Sequence, residues 1–205
     1  MQAGGRSKIR IVQAELDVKL WRDRLPTVDE VRPGRCPGCD APSRPSGRNL
    51  GLHGHGLRER DQWGPVQLDA VATAFGILAR RYRCQSCGAV IVVLPRGAVR
   101  RRLYSAGAIA FALGLWAVGG LAPAAVRERV SPHRFVGPTA AGGWASLRRW
   151  SRAVRAGRLF PVVRALPAEA TLRQVAARAA TTLAAFAPEA RGLSIESAAF
   201  LGARM

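Results

Sequence analysis

Lysine is nearly missing from this chain: Lys8 and Lys19 are the only lysines among 32 basic residues, and the rest are arginine. Acids are scarce as well, 13 against those 32, which leaves a net charge of +19. The choice of arginine could reflect a GC-rich genome, but codon bias does not remove acids. From Ala70 to Ala168 there are 16 arginines and a single acid, Glu128. That excess points to a polyanionic partner, by default nucleic acid. The shortage of carboxylates excludes metal-dependent strand transfer, which needs several of them to hold two divalent ions. After Glu128 only Glu169, Glu189 and Glu196 remain. With no P-loop and no Ser/His/Asp pattern either, the chain reads as non-enzymatic. Long apolar runs are also lacking. Leu103 to Val126 carries no charge and follows Arg100-Arg101-Arg102, a flank that could pass for positive-inside. Gly119-Gly120 and Pro123 nevertheless cut the run to about 16 residues, short of the ~20 that cross a bilayer. No membrane partner is expected. Met1 to Arg6 has no apolar stretch of the kind a secretory signal needs, so a cytoplasmic, nucleoid-associated protein is expected. No internal repeat is visible.

Cysteine is confined to four positions, and they fall into two C-x-x-C pairs, Cys36-Pro37-Gly38-Cys39 and Cys84-Gln85-Ser86-Cys87. Each turn can present two thiolates to one tetrahedral ion, and two turns complete a closed site with no position left for substrate. The expectation is one structural zinc held by Cys36, Cys39, Cys84 and Cys87. Disulfides would need an oxidising compartment, and a thioredoxin-like pair would need a helix start in an α/β unit. The 44 residues between Cys39 and Cys84 exceed the roughly 15–20 of common zinc ribbons. They must hold a hairpin or small subdomain. His53-Gly54-His55-Gly56 offers two further metal donors, but four thiolates already saturate one zinc, and the glycines read as a turn into a strand over 57–60.

Patterning along the chain gives an α+β fold: a small antiparallel-β zinc ribbon, then an all-α helix-turn-helix module and a C-terminal helix. The expected segments are an N-terminal arm and linker at 1–34, the ribbon at 35–95, the helix-turn-helix at 96–158 and a helix with tail at 159–205. Within the arm, 8–13 alternates as a short strand and 15–24 suits a helical turn or two. Polar 29–35 reads as a linker, and Pro- and Ser-rich 42–51 as a loop hanging off the site. Val66 to Phe75 and then Ile77 to Arg83 return a strand to the second pair, and Val90 to Leu94 leaves it. Ser105 caps a helix carrying Ile109, Leu113 and Trp116. Gly119-Gly120 stops it, and Pro123 opens a second helix to Val130, a helix-turn-helix layout. Thr139 is the expected cap of a third helix to about Ala156, with Trp144, Leu147, Trp150 and Val154 apolar and the arginines off that stripe. Glu169 to Ala187 is a last amphipathic helix, and Pro188 to Met205 is expected to fray.

Arg35-Cys36-Pro37-Gly38-Cys39, His55-Gly56-Leu57-Arg58-Glu59-Arg60, Arg81-Tyr82-Arg83-Cys84-Gln85-Ser86-Cys87-Gly88, Leu94-Pro95 and Arg102-Leu103-Tyr104-Ser105, in that order, resemble the N-terminal region of a broad bacterial group of transposases and transposon-associated proteins of unknown function. In that group a four-cysteine zinc ribbon precedes a helix-turn-helix. The resemblance covers about residues 35–150 and implies DNA binding, at the ends of a mobile element. The leading expectation is a zinc-dependent, non-enzymatic protein that binds double-stranded DNA. Two others stand beside it: a target-recognition subunit of a transposase or other DNA-processing enzyme whose catalysis lies on another chain, and a zinc-ribbon RNA-binding protein. A homodimer is compatible with all three. Candidate DNA contacts are Arg148, Arg149 and Arg152 on the third helix, with Arg127 and Arg129 on the second as the alternative readers. Arg100, Arg101 and Arg102 in the hinge, and Arg80 and Arg81 beside the second cysteine pair, are candidates for phosphate.

Overall fold

The computed structural model describes residues 9–134, 136–137, 143–187, 189 and 192–204. The fold is mixed α+β, with one four-stranded sheet and, among the described residues, six helices. The strands are β1 (Ile9–Asp17), β2 (Leu52–Gly64), β3 (Thr73–Cys84) and β4 (Val90–Arg96). The helices are α1 (Val18–Asp23), α2 (Ala106–Ala117), α3 (Pro123–Val130), α4 (Ala145–Arg155), α5 (Leu172–Ala184) and α6 (Ile195–Gly202). Among the described residues no helix is long and apolar enough to cross a membrane. The chain forms two compact units: the described residues up to Asp61 with Gly76–Arg100, and Gln62–Phe75 with the described residues from Arg101 onward.

In the first unit the strand order is β1-β4-β3-β2. β3 and β4 pair antiparallel, as the second cysteine pair between them demands, but β1 joins parallel to β4, with Ile9 beside Val90 and Val12 beside Val93. The sheet is therefore not the purely antiparallel ribbon expected. β4 is apolar on both faces, and such a strand is stable only with a neighbour on each side and cover above and below. Residues 9–34, read from the sequence as an arm and linker, supply one neighbour, β1, and cover for the face that carries Ile91 and Val93. Asp17 caps α1, accepting from the Lys19 and Leu20 amides, and α1 buries Trp21, whose indole donates to the Leu78 carbonyl at 3.0 Å. Residues 26–32 are then stitched to the sheet. Arg80 donates to Pro26 O at 2.8 Å, Tyr82 Oη to Val28 O at 2.6 Å, and Arg32 to Leu52 O while its guanidinium lies over the Tyr82 ring. Asp29 bridges Arg32 and Arg44 at 2.7 and 2.6 Å, and the hydrogen bond from Arg32 is the chief reason its carboxyl sits below the usual range. Pairing at three carbonyls removes the desolvation cost that a buried polar segment otherwise carries.

The helical unit is wrapped around α2. Nine of its 12 residues are buried, so it is not amphipathic about Ile109, Leu113 and Trp116 as the sequence pattern implied, but apolar all round. Ser105 caps it as expected, accepting from the Ala108 amide at 3.1 Å. α3, α4, α5 and α6 all pack against it. The last of these overturns the expectation of a frayed tail. α6 is capped by Ser194 and buries Phe200 against α2, in edge contact with Phe111 at 6.1 Å between ring centroids. Gly107 and Gly114, two turns apart on α2, make the close approach: a Cβ on Gly107 would lie 3.0 Å from the Phe200 ring, and one on Gly114 2.7 Å from Glu196 Cβ.

Two helix starts differ from expectation. α5 begins at Leu172 because Thr171 and Gln174 form a reciprocal capping box. α4 begins at Ala145 because Gly143 holds a φ of +78°, which no helix accommodates. The expected cap Thr139 lies outside the described residues.

Glycine is a poor helix former, so replacing it by alanine in an exposed helix stabilises by about 1 kcal/mol. Gly114→Ala should lower the melting temperature instead, because the added methyl has no room beside Glu196. Phe200→Ala should cost about 3–5 kcal/mol. A thermal melt of each variant checks both, and a Gly114→Ala variant more stable than the parent would mean α6 does not pack as described.

Candidate metal centre

The two cysteine turns are structural copies. In Cys36–Ala41 the Asp40 amide donates to Cys36 O at 2.8 Å and the Cys36 amide to Ala41 O at 2.9 Å. In Cys84–Ala89 the Gly88 amide donates to Cys84 O and the Cys84 amide to Ala89 O, both at 3.0 Å. Closing this loop requires a left-handed residue after the second cysteine, and Asp40 and Gly88 have φ of +58° and +71°. Glycine adopts that conformation freely and aspartate with small cost, the more so as Arg35 grips both the Asp40 carbonyl and carboxylate at 2.7 Å. Amides turned inward then meet sulfur, as where the Gly38 amide donates to Cys36 Sγ at 3.4 Å.

The four sulfurs converge. All lie within 4.8 Å of one another, with Cys36 Sγ to Cys87 Sγ and Cys39 Sγ to Cys84 Sγ each 3.7 Å. A disulfide bond is about 2.05 Å long, so the cysteines are unbonded thiols. Four sulfurs around one ion at the usual metal–sulfur length of about 2.3 Å would stand roughly 3.8 Å apart. The set therefore fits a tetrahedral, thiophilic cation. Cys36 and Cys84, one from each turn, are buried with Leu52, Tyr82, Ile91 and Val93, while Cys39 and Cys87 are exposed.

Without a cation one thiol is helped to ionise by its neighbours and the others are held back. Burial pushes Cys84 up, but the amides of Cys87 and Ser86 and the neighbouring thiols Cys36 and Cys87 outweigh it and bring it down to about 7. For Cys39 the Ala41 amide favours the thiolate, yet Cys87, burial, Cys36 and Cys84 together push it up to about 12. Burial is the main cause that raises Cys36. One thiolate forms near neutrality and resists the next, so a cation that binds all four must expel protons.

Neither histidine joins the set. His53 Nε2 meets Leu50 O at 2.7 Å, and His55 offers its carbonyl to Arg81 at 2.9 and 3.1 Å. Both lie on β2 rather than in a turn. Arg80 and Arg81, expected at a phosphate, are half-buried and hold the carbonyls of Pro26 and His55. Arg100 and Arg101 are exposed and Arg102 is half-buried. In the helical unit Arg127 is half-buried and Arg129 exposed on α3. Arg148, Arg149 and Arg152 are all exposed on α4, opposite buried Leu147, Trp150 and Val154. Trp144 and Trp150 stack edge-on at 4.9 Å, and both meet Tyr104, at 5.6 and 5.1 Å. His133, expected in a loop, is in one, with its ring edge-on to Trp63 at 4.6 Å.

Comparison of the chain with protein-family models, with curated proteins and with solved structures returns no match.

Elemental analysis of protein purified without a metal-binding tag should give one metal ion per chain. Cys84→Ser should abolish it and raise amide exchange through the sheet unit, while α2, α5 and α6 keep their protection. Titration of the metal-free protein in buffers of different ionisation heat should show proton release, with affinity rising with pH, more steeply below about 7, where Cys84 too must be deprotonated, than above it. Binding without proton release would contradict a four-thiolate site.

Proposed function

We propose that the chain is a zinc-dependent, non-enzymatic DNA-binding protein related to the N-terminal regions of transposases. Zinc is the divalent ion that a closed, four-thiolate tetrahedral set suits best, and its part would be to hold the sheet unit together. The observation that carries the DNA reading is the outer face of α4. Arg148, Arg149 and Arg152 stand exposed and side by side, without an acid anywhere on that helix. Among the described residues none of their three side chains makes a hydrogen bond or ion pair. An ordinary solvated helix mixes charges so that residues four apart attract, whereas here Arg148 and Arg152 repel, a cost that a phosphate backbone would reverse.

The order α2, glycine turn, α3 and then α4 supports a helix-turn-helix reading, with α4 entering the major groove. Its opening residues Ala145 and Ser146 are small enough for close approach, and the tryptophans on its far side fix its orientation. Arginine there can bond two atoms of guanine, while Arg100 and Arg101 meet phosphate.

Selection from random duplexes by the metal-loaded protein should return a defined site. On it, Arg148→Ala or Arg149→Ala should cost about 1–3 kcal/mol and relax base preference, whereas Arg101→Ala should weaken all sequences alike. Nonspecific affinity should fall steeply with salt, each phosphate contact adding about 0.9 to the logarithmic slope. Sequence-blind losses from all three changes would move base reading to Arg127 and Arg129, and a slope near zero would exclude a nucleic-acid backbone as partner.

A further inference from the structure

The stretch from Pro42 to Gly51, which the sequence offers only as a polar loop, is anchored at both ends to the cysteine turns. The Ser43 amide donates to Gly34 O and the Gly51 amide to Ser43 O, at 2.9 and 2.8 Å, and the Gln85 amide of the second turn donates to Gly51 O at 2.9 Å. Gly51 is required there, since a Cβ would fall 2.3 Å from Pro42 O. Held this way, the loop and the second turn line an open, solvent-facing pocket of about 760 Å³, within the roughly 300–1,000 Å³ of small-ligand sites. Its lining sorts by chemistry. Pro45 and Leu50 are apolar, Asn49 and Gln85 carry amides that both donate and accept, and Arg48 supplies nitrogen donors, with no acid in the lining, while His53 Nε2 is engaged by Leu50 O. Among the described residues the side chains of Arg48, Asn49 and Gln85 have no hydrogen-bond partner.

We propose that this pocket binds a single unpaired nucleotide, with the base against Pro45 and Leu50, its edge on the Asn49 and Gln85 amides, and its phosphate on Arg48. An apolar wall suits a base face, amides suit a base edge whatever the strand's backbone does, and a guanidinium suits phosphate. Duplex DNA has no unpaired base to offer, so the ligand is either a free nucleotide or a nucleotide at a strand end or single-stranded stretch. Because one wall is a cysteine turn, the pocket depends on the metal centre. The inference extends the DNA-binding reading, yet stands on different residues from it.

The test uses the metal-loaded full chain with three fluorescent probes at one salt concentration: a ten-nucleotide single strand of mixed sequence, a blunt duplex of that sequence, and deoxyadenosine monophosphate. Arg48→Ala should weaken single-strand binding roughly ten- to a hundredfold, as loss of a charge-assisted hydrogen bond does, and leave the duplex within about twofold. Asn49→Ala should follow it in direction. Arg148→Ala should do the reverse. Monophosphate binding that Arg48→Ala abolishes identifies a free nucleotide as sufficient, and binding of the strand alone identifies a nucleotide within a chain. Unchanged single-strand affinity in both Arg48→Ala and Asn49→Ala overturns the proposal, as does an equal loss on strand and duplex, which would make Arg48 one more phosphate contact. Loss of duplex binding in Arg148→Ala alone would leave the α4 reading intact in that event. Folding is verified by metal content for Arg48→Ala and Asn49→Ala, and by a thermal melt for Arg148→Ala.

Discussion

Four sulfur atoms held within 4.8 Å of one another are the constraint on which the sheet unit rests. The chain brings them together from turns 44 residues apart in sequence, and it does so before any ion is considered, through matched backbone loops with a left-handed residue at Asp40 and Gly88. Having one cysteine of each turn buried and the other exposed splits the site between core and solvent. The buried pair, Cys36 and Cys84, shares a cluster with Trp21, Tyr82 and Ile91, so the donor geometry and the apolar packing are one object. A cation there closes loops that hydrogen bonds alone hold weakly, and the energy of its binding becomes energy of folding.

In the helical unit the corresponding role falls to Tyr104. Its ring touches Trp63, Trp144 and Trp150 edge-on, and its hydroxyl reaches Ser131 Oγ at 3.1 Å, just past the end of α3. One side chain thus ties the start of α2, the end of α3 and the inner face of α4. Burial raises its phenol's proton affinity, and the Ser131 hydrogen bond only partly offsets this, so it stays neutral as a hub of aromatic contacts should. The arginines of α4 are exposed because the tryptophans on its other side are not.

What the sequence made legible was local. The cysteine turns, the Ser105 cap, the glycine stop before Pro123 and the arginine face of α4 each depend on residues within about two helical turns. The readings that failed depended on partners far along the chain. Residues 29–35 look like a linker until Leu52 and the Tyr82 ring are found beside Arg32. The helix at Ile195–Gly202 is Ala-rich with little periodic contrast, and its clearest sign, Gly107 and Gly114 on α2, lies nearly ninety residues earlier. α2 itself was misjudged because a helix apolar on every side shows period only through gaps, and Ala and Gly filled the gaps. The Pro42–Gly51 loop was passed over since its composition announces a turn but not where its ends are tied.

β1 lies parallel to β4, with Ile9 beside Val90. Once made, β1 therefore has no strand to pair with until 81 further residues have been made, the difference between those two positions. At about 5–20 residues per second that is roughly 4 to 16 seconds with β1 unpaired. During that interval both cysteine turns are completed in order, Cys36–Cys39 and then Cys84–Cys87, so the sulfurs can gather before the sheet does.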